Sequence, residues 1–195
     1  NGFTVNTFTH ILEGYKLADK MKNHGAAGST FSDWWAYKYE VNDAIPYNGA
    51  IMHHEGVLTA FNSDDAEMGR RLNQEAAKAI KYGEVSEEEA LKFVTLNPAK
   101  MLHLDDRMGS IKIGKDACIV LWNDHPLSVY ATVSKTIIDG AIYFDNEWDK
   151  VLAQKNKEEK AAIINKMIAE KKEGKKTQPA KSKKPTLYHC DTVGE

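Results

Sequence analysis

The sequence predicts an α/β chain in which three parallel βα units are followed by short antiparallel strands and a long charged helix. Three observations carry this reading. Runs rich in β-branched, aromatic or small residues at 3–9, 26–35 and 57–65 alternate with stretches of helical period, the signature of βα repeats. After Leu102 the pattern changes to short alternating runs split by Gly and Asp. From Trp148 onward Lys and Glu dominate.

The first run, "FTVNTFT", reads as a strand ending at His10. A helix is expected over 13–24, with Leu17, Ala18 and Met21 on one face and Gly25 as the stop. The run "AAGSTFSDWW" is the second strand and its exit loop, and the later half of "NDAIPYNGAIMHHEG" is the second helix. "VLTAFNSDD" is the third strand, followed by a helix over 67–82 with Leu72, Ala76, Ala79 and Ile80 inward. Ser86 with Glu89 forms a capping box that opens the helix "EEEALKFVTL", which Asn97-Pro98 interrupts. "GSIKIGKDACIVLW", "TVSKTIIDG" and "AIYFDNEW" are expected as an antiparallel meander or sandwich edge. A Lys/Glu helix then runs to about Glu173, and "GKKTQPAKSKKP" reads as a flexible connector.

At 195 residues and 42% hydrophobic, the chain can bury one good core. No window approaches the roughly 18 apolar residues of a membrane span. The first residues carry neither a signal-peptide pattern nor an initiator Met, so a cut or incomplete N-terminus is expected. Cys118 and Cys190 lie far apart and read as free thiols. Residues 150–195 hold 12 Lys against 6 acids, whereas 1–149 hold 14 Lys or Arg against 22 acids. The basic tail is interleaved with Glu and lacks aromatic residues before Tyr188, so nucleic acid is not expected as a partner.

In parallel αβ structures functional side chains gather at the C-terminal ends of strands. Those ends offer His10, Ser32-Asp33 and Asp64-Asp65. Imidazole and carboxylate suit a divalent metal such as zinc, and a carboxylate beside it can take a proton from water. The plainer alternative makes Asp65 the N-cap of the next helix and Asp64 a loop acid. Tyr15 and Lys16 lie just past His10, within reach of a substrate. Trp34-Trp35 either line a pocket or pack beneath a loop. His53-His54 falls at the end away from this face and reads as surface; His24, His103 and His125 read as structural or solvent-facing.

"THILEGYKLADKMKNHG", "GVLTAFNSDDAEMGRRLNQEAAKAIKYG", "LKFVTLNPAKMLHLDDRMGSIKIGKDACIVLWNDHPLS" and "VSKTIIDGAIYFD" together resemble the C-terminal part of a metal-dependent amidohydrolase of the imidazolonepropionase-like group. The resemblance covers roughly residues 3–145; "TLNPAKML" and "GSIKIGKDACIVLW" carry most of it. It implies the last part of a (β/α)8 TIM-like barrel, about strands 6 to 8 within residues 1–102, then β-sandwich strands over 103–148 and a helical, flexible tail over 149–195. It assigns metal binding to His10 and Asp64, with Asp64 also the general base. Asp65, Tyr15 and Trp34 become candidates for substrate contact, with capping the alternative for Asp65. The implied cofactor is a divalent metal, with Zn²⁺ expected as one or two ions.

Two departures from the family pattern stand out. Cys118 occupies a sandwich position where an acid is usual. The His-x-His pair and the ligands of the middle strands have no counterpart, and about 80 of a barrel's roughly 250 residues are present. The chain therefore reads as a fragment or one partner of a split enzyme, inactive alone. Its expected partner is the N-terminal part of the barrel, in the same precursor or a second chain, with a homo-oligomer also admitted. The expected reaction is hydrolysis of C–N bonds in a small-molecule or peptide-like substrate. The rival readings are a non-catalytic fragment that completes a partner's barrel, and a tail that binds an acidic surface. The resemblance leans toward periplasmic or secreted bacterial relatives, whose signal peptide would precede this segment.

Overall fold

The computed structural model describes residues 2–178; Cys190 and the connector from residue 179 onward lie outside the described residues. Strands β1 (Thr7–Phe8), β2 (Ala27–Thr30) and β3 (Thr59–Phe61) form a parallel sheet in the order β1-β2-β3. Thr7 pairs with Ala27 and Phe8 with Gly28; Gly28, Ser29 and Thr30 pair with Thr59, Ala60 and Phe61. Only two residues of the run at 3–9 are strand. Val5 gives its N–H to His24 Nε2 at 2.9 Å rather than to a ladder.

The helix expected over 13–24 is divided into a 3-10 turn (Gly14–Lys16) and α1 (Ala18–His24). Gly14 lies against the next helix so closely that a Cβ would meet Met52 Sδ at 2.3 Å. Gly25 ends α1 in the left-handed conformation, φ 83, with its N–H on the Met21 and Lys22 carbonyls. Helix α2 (Asn48–His54) leads into β3. The segment expected as one helix over 67–82 is α3 (Ala66–Gly69) and α4 (Leu72–Gly83), because Arg71 departs from helical geometry at φ −125, ψ 30.

Ser86 caps α5 (Glu87–Lys92), its Oγ accepting the Glu89 N–H at 3.3 Å. The expected interruption at Asn97-Pro98 is instead the start of a new helix, α6 (Leu96–Met101). Pro98 sits in the first turn, where a missing N–H leaves no ladder bond unmade. Asn97 is buried and donates to the Thr59 carbonyl at 2.8 Å, fastening α6 to β3.

Small residues build the main core: Ala50, Ala76, Ala79 and Ala90 surround Phe61, Val85, Phe93 and Leu127. They let helices approach closely, and a Cβ on Gly83 would meet the Ala50 Cβ at 2.0 Å. A second cluster joins Ala18, Met21, Met52 and Val57 on the side of Gly28, whose added Cβ would stand 3.0 Å from Met21 Cε and Met52 Sδ.

The expected meander is present as β4 (Ile119–Trp122), β5 (Val133–Ile138) and β6 (Ala141–Asp145), antiparallel in that order. Its first expected run is shorter than its sequence suggests. Lys115 Nζ gathers the Asp105 and Met108 carbonyls and Ser110 Oγ, holding this stretch as turns. Asn73 Nδ2 donates to the Pro126 carbonyl at 2.6 Å, tying this unit to α4. Asp145 caps α7 (Asn146–Lys172), accepting the Glu147 N–H at 3.0 Å. No residue of α7 is buried, and no described helix is long and apolar enough to cross a membrane.

Candidate functional site

The C-terminal ends of β1 and β3 bring His10 and Asp64 together past the end of β2. His10 turns the chain after β1 with φ 56, a left-handed conformation that His adopts more readily than most side chains. The next residue is pinned twice. Ile11 donates to the Ser29 carbonyl at 3.1 Å, and its own carbonyl accepts Asn48 Nδ2 at 2.8 Å. Asn48 is buried and also donates to Thr30 Oγ1 at 2.9 Å while accepting the Tyr15 N–H at 2.8 Å. On the other side, the Asn62 N–H reaches the Thr30 carbonyl at 2.9 Å, and Asn62 Oδ1 accepts from Ser29 Oγ at 2.7 Å.

His10 Nε2 lies 3.5 Å from Asp64 Oδ1, with side-chain exposures of 52% and 28%, so both are open to a ligand. That separation exceeds an ordinary hydrogen bond. It matches the roughly 3.4 Å expected between two donors each about 2.0–2.1 Å from a tetrahedral zinc. Nitrogen and carboxylate oxygen also suit first-row divalent ions chemically. The pair therefore fits two positions of such a site. Among the described residues no group of three His, Cys, Asp or Glu side chains is assembled for a metal.

The neighbouring acid has a different task. Asp65 Oδ1 accepts the Glu67 and Met68 N–H groups at 2.8 and 2.9 Å, the capping alternative in full. Tyr15 OH donates to the Asp43 carbonyl at 3.0 Å, and Lys16 pairs with Glu13 and Asp43 at 2.6 and 2.5 Å. Both side chains thus fasten the β1 exit to the segment before α2. Ser32 and Asp33 turn to α4 instead of the His10–Asp64 pair. Ser32 donates to the buried Glu75, and Lys78 bridges Glu75 at 2.9 Å and Asp33.

Trp34 is linked to His10 through an aromatic series. His10 meets the edge of Phe31 with centroids 5.0 Å apart, Phe31 stacks on Trp34 at 5.6 Å and 16°, and Trp34 meets Tyr37 at 5.6 Å and 87°. Trp35 goes elsewhere, against Tyr82 at 5.4 Å, and its Nε1 is buried without a hydrogen-bond partner among the described residues. His53 packs on Phe93 at 5.1 Å, and burial holds its imidazole below its ordinary pKa. His54 contacts the Gly83 carbonyl at 2.8 Å. Cys118 is free and exposed.

Asn48, Asn62 and Glu75 did not stand out in the sequence. Asn48 and Glu75 are buried, and a buried polar group demands partners, whereas Asn62 is half-buried just past β3. Asn48 directly before "GAIM" is the one whose setting carries a readable signal.

Residues 47–143 match the amidohydrolase family model. The chain is 32% identical over 150 residues to amidohydrolase tasK of Hapsidospora irregularis, covering 74% of this chain and 15% of that protein. It is 27% identical over 153 residues to the imidazolonepropionase of Thermoplasma volcanium, covering 74% and 37%. The crystal structure of an amidohydrolase from Thermotoga maritima MSB8 superimposes with a TM-score of 0.67 at 33% identity, covering 72% of this chain and 37% of that one. The chain thus spans well under half the length of these relatives. Motifs and comparisons converge: residues 47–143 are an amidohydrolase family domain.

Proposed function

We propose that this chain supplies the His10–Asp64 part of a centre that hydrolyses a C–N bond in an amide, cyclic amide or peptide-like substrate. The observation that supports it most is the 3.5 Å approach of imidazole and carboxylate at strand ends, within a chain that carries a domain of this family. One or two Zn²⁺ ions are the cofactor the donors suit; such an ion, when bound, lowers the pKa of water toward about 7 and polarises a carbonyl. Asp64 accepts a proton from the attacking water as the water oxygen bonds to the carbonyl carbon. It returns that proton to the nitrogen as the C–N bond breaks, so the acid ends each cycle ionised. His10 holds its position through the fixed turn at Ile11, and Asp65 keeps the Asp64 loop in place by capping α3. A closed site takes about four ligands, so the others come from a complementary part of the barrel, in the same precursor or a second polypeptide.

The test is turnover of cyclic amides and dipeptides by natively purified material, with metal content measured on the same sample. Activity that a chelator removes and Zn²⁺ restores is expected. Full hydrolysis by a metal-free sample, or a zinc-loaded complete assembly with no hydrolysis of any amide class, would overturn the reading.

A further inference from the structure

We infer that Phe31, Trp34 and Tyr37 form a specificity wall that favours substrates carrying an aromatic or planar apolar group near the scissile bond. The inference rests on the hydrolytic reading above and names the substrate class of the same site.

The wall starts at the candidate metal ligand itself, since the Phe31 ring meets His10 at 5.0 Å, and continues through Trp34 to Tyr37. It runs from inside to outside: Phe31 is buried, Trp34 is half-buried and Tyr37 is 52% exposed. A substrate at the His10–Asp64 pair would therefore meet the half-buried Trp34 and the exposed Tyr37, with buried Phe31 as the backing that ties them to His10. Rings of this kind hold apolar planar groups by stacking and edge contacts.

The loop that carries the wall is both strained and fixed. Trp34 and Ala36 have φ of 72 and 50, a left-handed conformation that non-glycine residues rarely adopt. Neither position uses the Gly that would remove the strain. The two residues before Trp34 are anchored to α4, Ser32 on Glu75 and Asp33 on Lys78. Trp34 Nε1 itself points at Met68 Sδ, 2.8 Å away, on α3. Trp35, the neighbouring residue, turns away to Tyr82.

The experiment compares the complete zinc-loaded enzyme on two amides that differ only in a benzyl or a methyl side group. In parallel, binding of N-acetyl-phenylalanine and N-acetyl-alanine is followed by isothermal titration calorimetry, which requires neither turnover nor a tryptophan reporter. The expected result is a kcat/KM preference for benzyl that Trp34→Ala lowers by roughly tenfold, the scale of one apolar contact. Tyr37→Ala, an exposed position that folding tolerates, lowers it less, and Trp35→Phe preserves it. An equal benzyl-to-methyl ratio in the wild type, Trp34→Ala and Tyr37→Ala overturns the wall and leaves hydrolysis standing. Absence of turnover together with Trp34-dependent binding of N-acetyl-phenylalanine overturns hydrolysis and retains the wall. Absence of both overturns both.

Discussion

His10 Nε2 stands 3.5 Å from Asp64 Oδ1, although the two side chains follow β1 and β3 and the strand between those two contributes neither donor. The contact depends on the backbone ties at Ile11 and Asn62, both made to β2. For Asp64 the consequence is chemical. In the complete zinc-loaded enzyme, Asp64→Asn keeps the carboxylate's shape and removes its basicity. Turnover is expected to fall about 10²- to 10⁴-fold with an unchanged circular dichroism spectrum. Steady-state kinetics at saturating substrate provide the check.

His10→Ala removes the nitrogen donor. Loss of outer partners of metal ligands already costs about 10- to 100-fold in affinity, so the loss of a ligand is expected to weaken Zn²⁺ binding by at least about 100-fold. Isothermal titration of the complete enzyme measures it directly. Equal affinity in the variant would remove His10 from the metal site.

Asp65 acts on stability through the cap of α3. Asp65→Ala should lower stability by about 1 kcal/mol, and Asp65→Ser, which also caps, should recover most of it. Urea midpoints of the two variants distinguish capping from any role that needs a negative charge.

Glu75 is buried, accepts from Ser32 and pairs with Lys78. Glu75→Ala strands a buried hydroxyl and leaves Lys78 with Asp33 alone. A loss of about 2–3 kcal/mol is expected, at the low end for buried pairs because Lys78 and Asp33 are partly exposed. Thermal unfolding reads it.

His53 sets a pH dependence. Burial, the largest cause, holds its pKa below the ordinary 6.5; His54 and Lys92 act the same way, and Glu89 opposes them. The unfolded chain takes up the proton near 6.5 and the folded chain only at lower pH. The contribution to stability is therefore present above that value and lost as the pH falls below it. Urea midpoints from about pH 7.5 to about pH 5.5 should fall more steeply in the wild type than in His53→Phe.

The alternation of short apolar runs with helical periods made the parallel units legible, and the change of pattern after Leu102 marked the second sheet. Caps were legible too: Gly25, Ser86 and Asp65 do what their side chains allow. The helix breaks at Leu17 and Arg71 were not, because they come from close tertiary approach and from a single off-helix residue, neither of which leaves a period in the sequence. Pro98 was misread because a proline ends one helix or opens the next, and only tertiary context chooses. For the site, residue type and strand-end position offered His10, Ser32-Asp33 and Asp64-Asp65, and the family resemblance singled out His10 and Asp64 among them. The Asn48 and Glu75 ties were hidden, since they join residues far apart in sequence; the aromatic residues lie within one loop, but its approach to His10 leaves no mark there.

Gly28 has a further consequence for the spacing of the two outer strands. Since both donors hang from those strands, the bite between them is a gauge of how the middle strand is seated. A methyl group at Gly28 would stand 3.0 Å from Met21 Cε and Met52 Sδ, the far ends of flexible side chains that yield by the few tenths of an ångström such a contact requires. The helix-packed side of the sheet thus works as a cushion for that caliper.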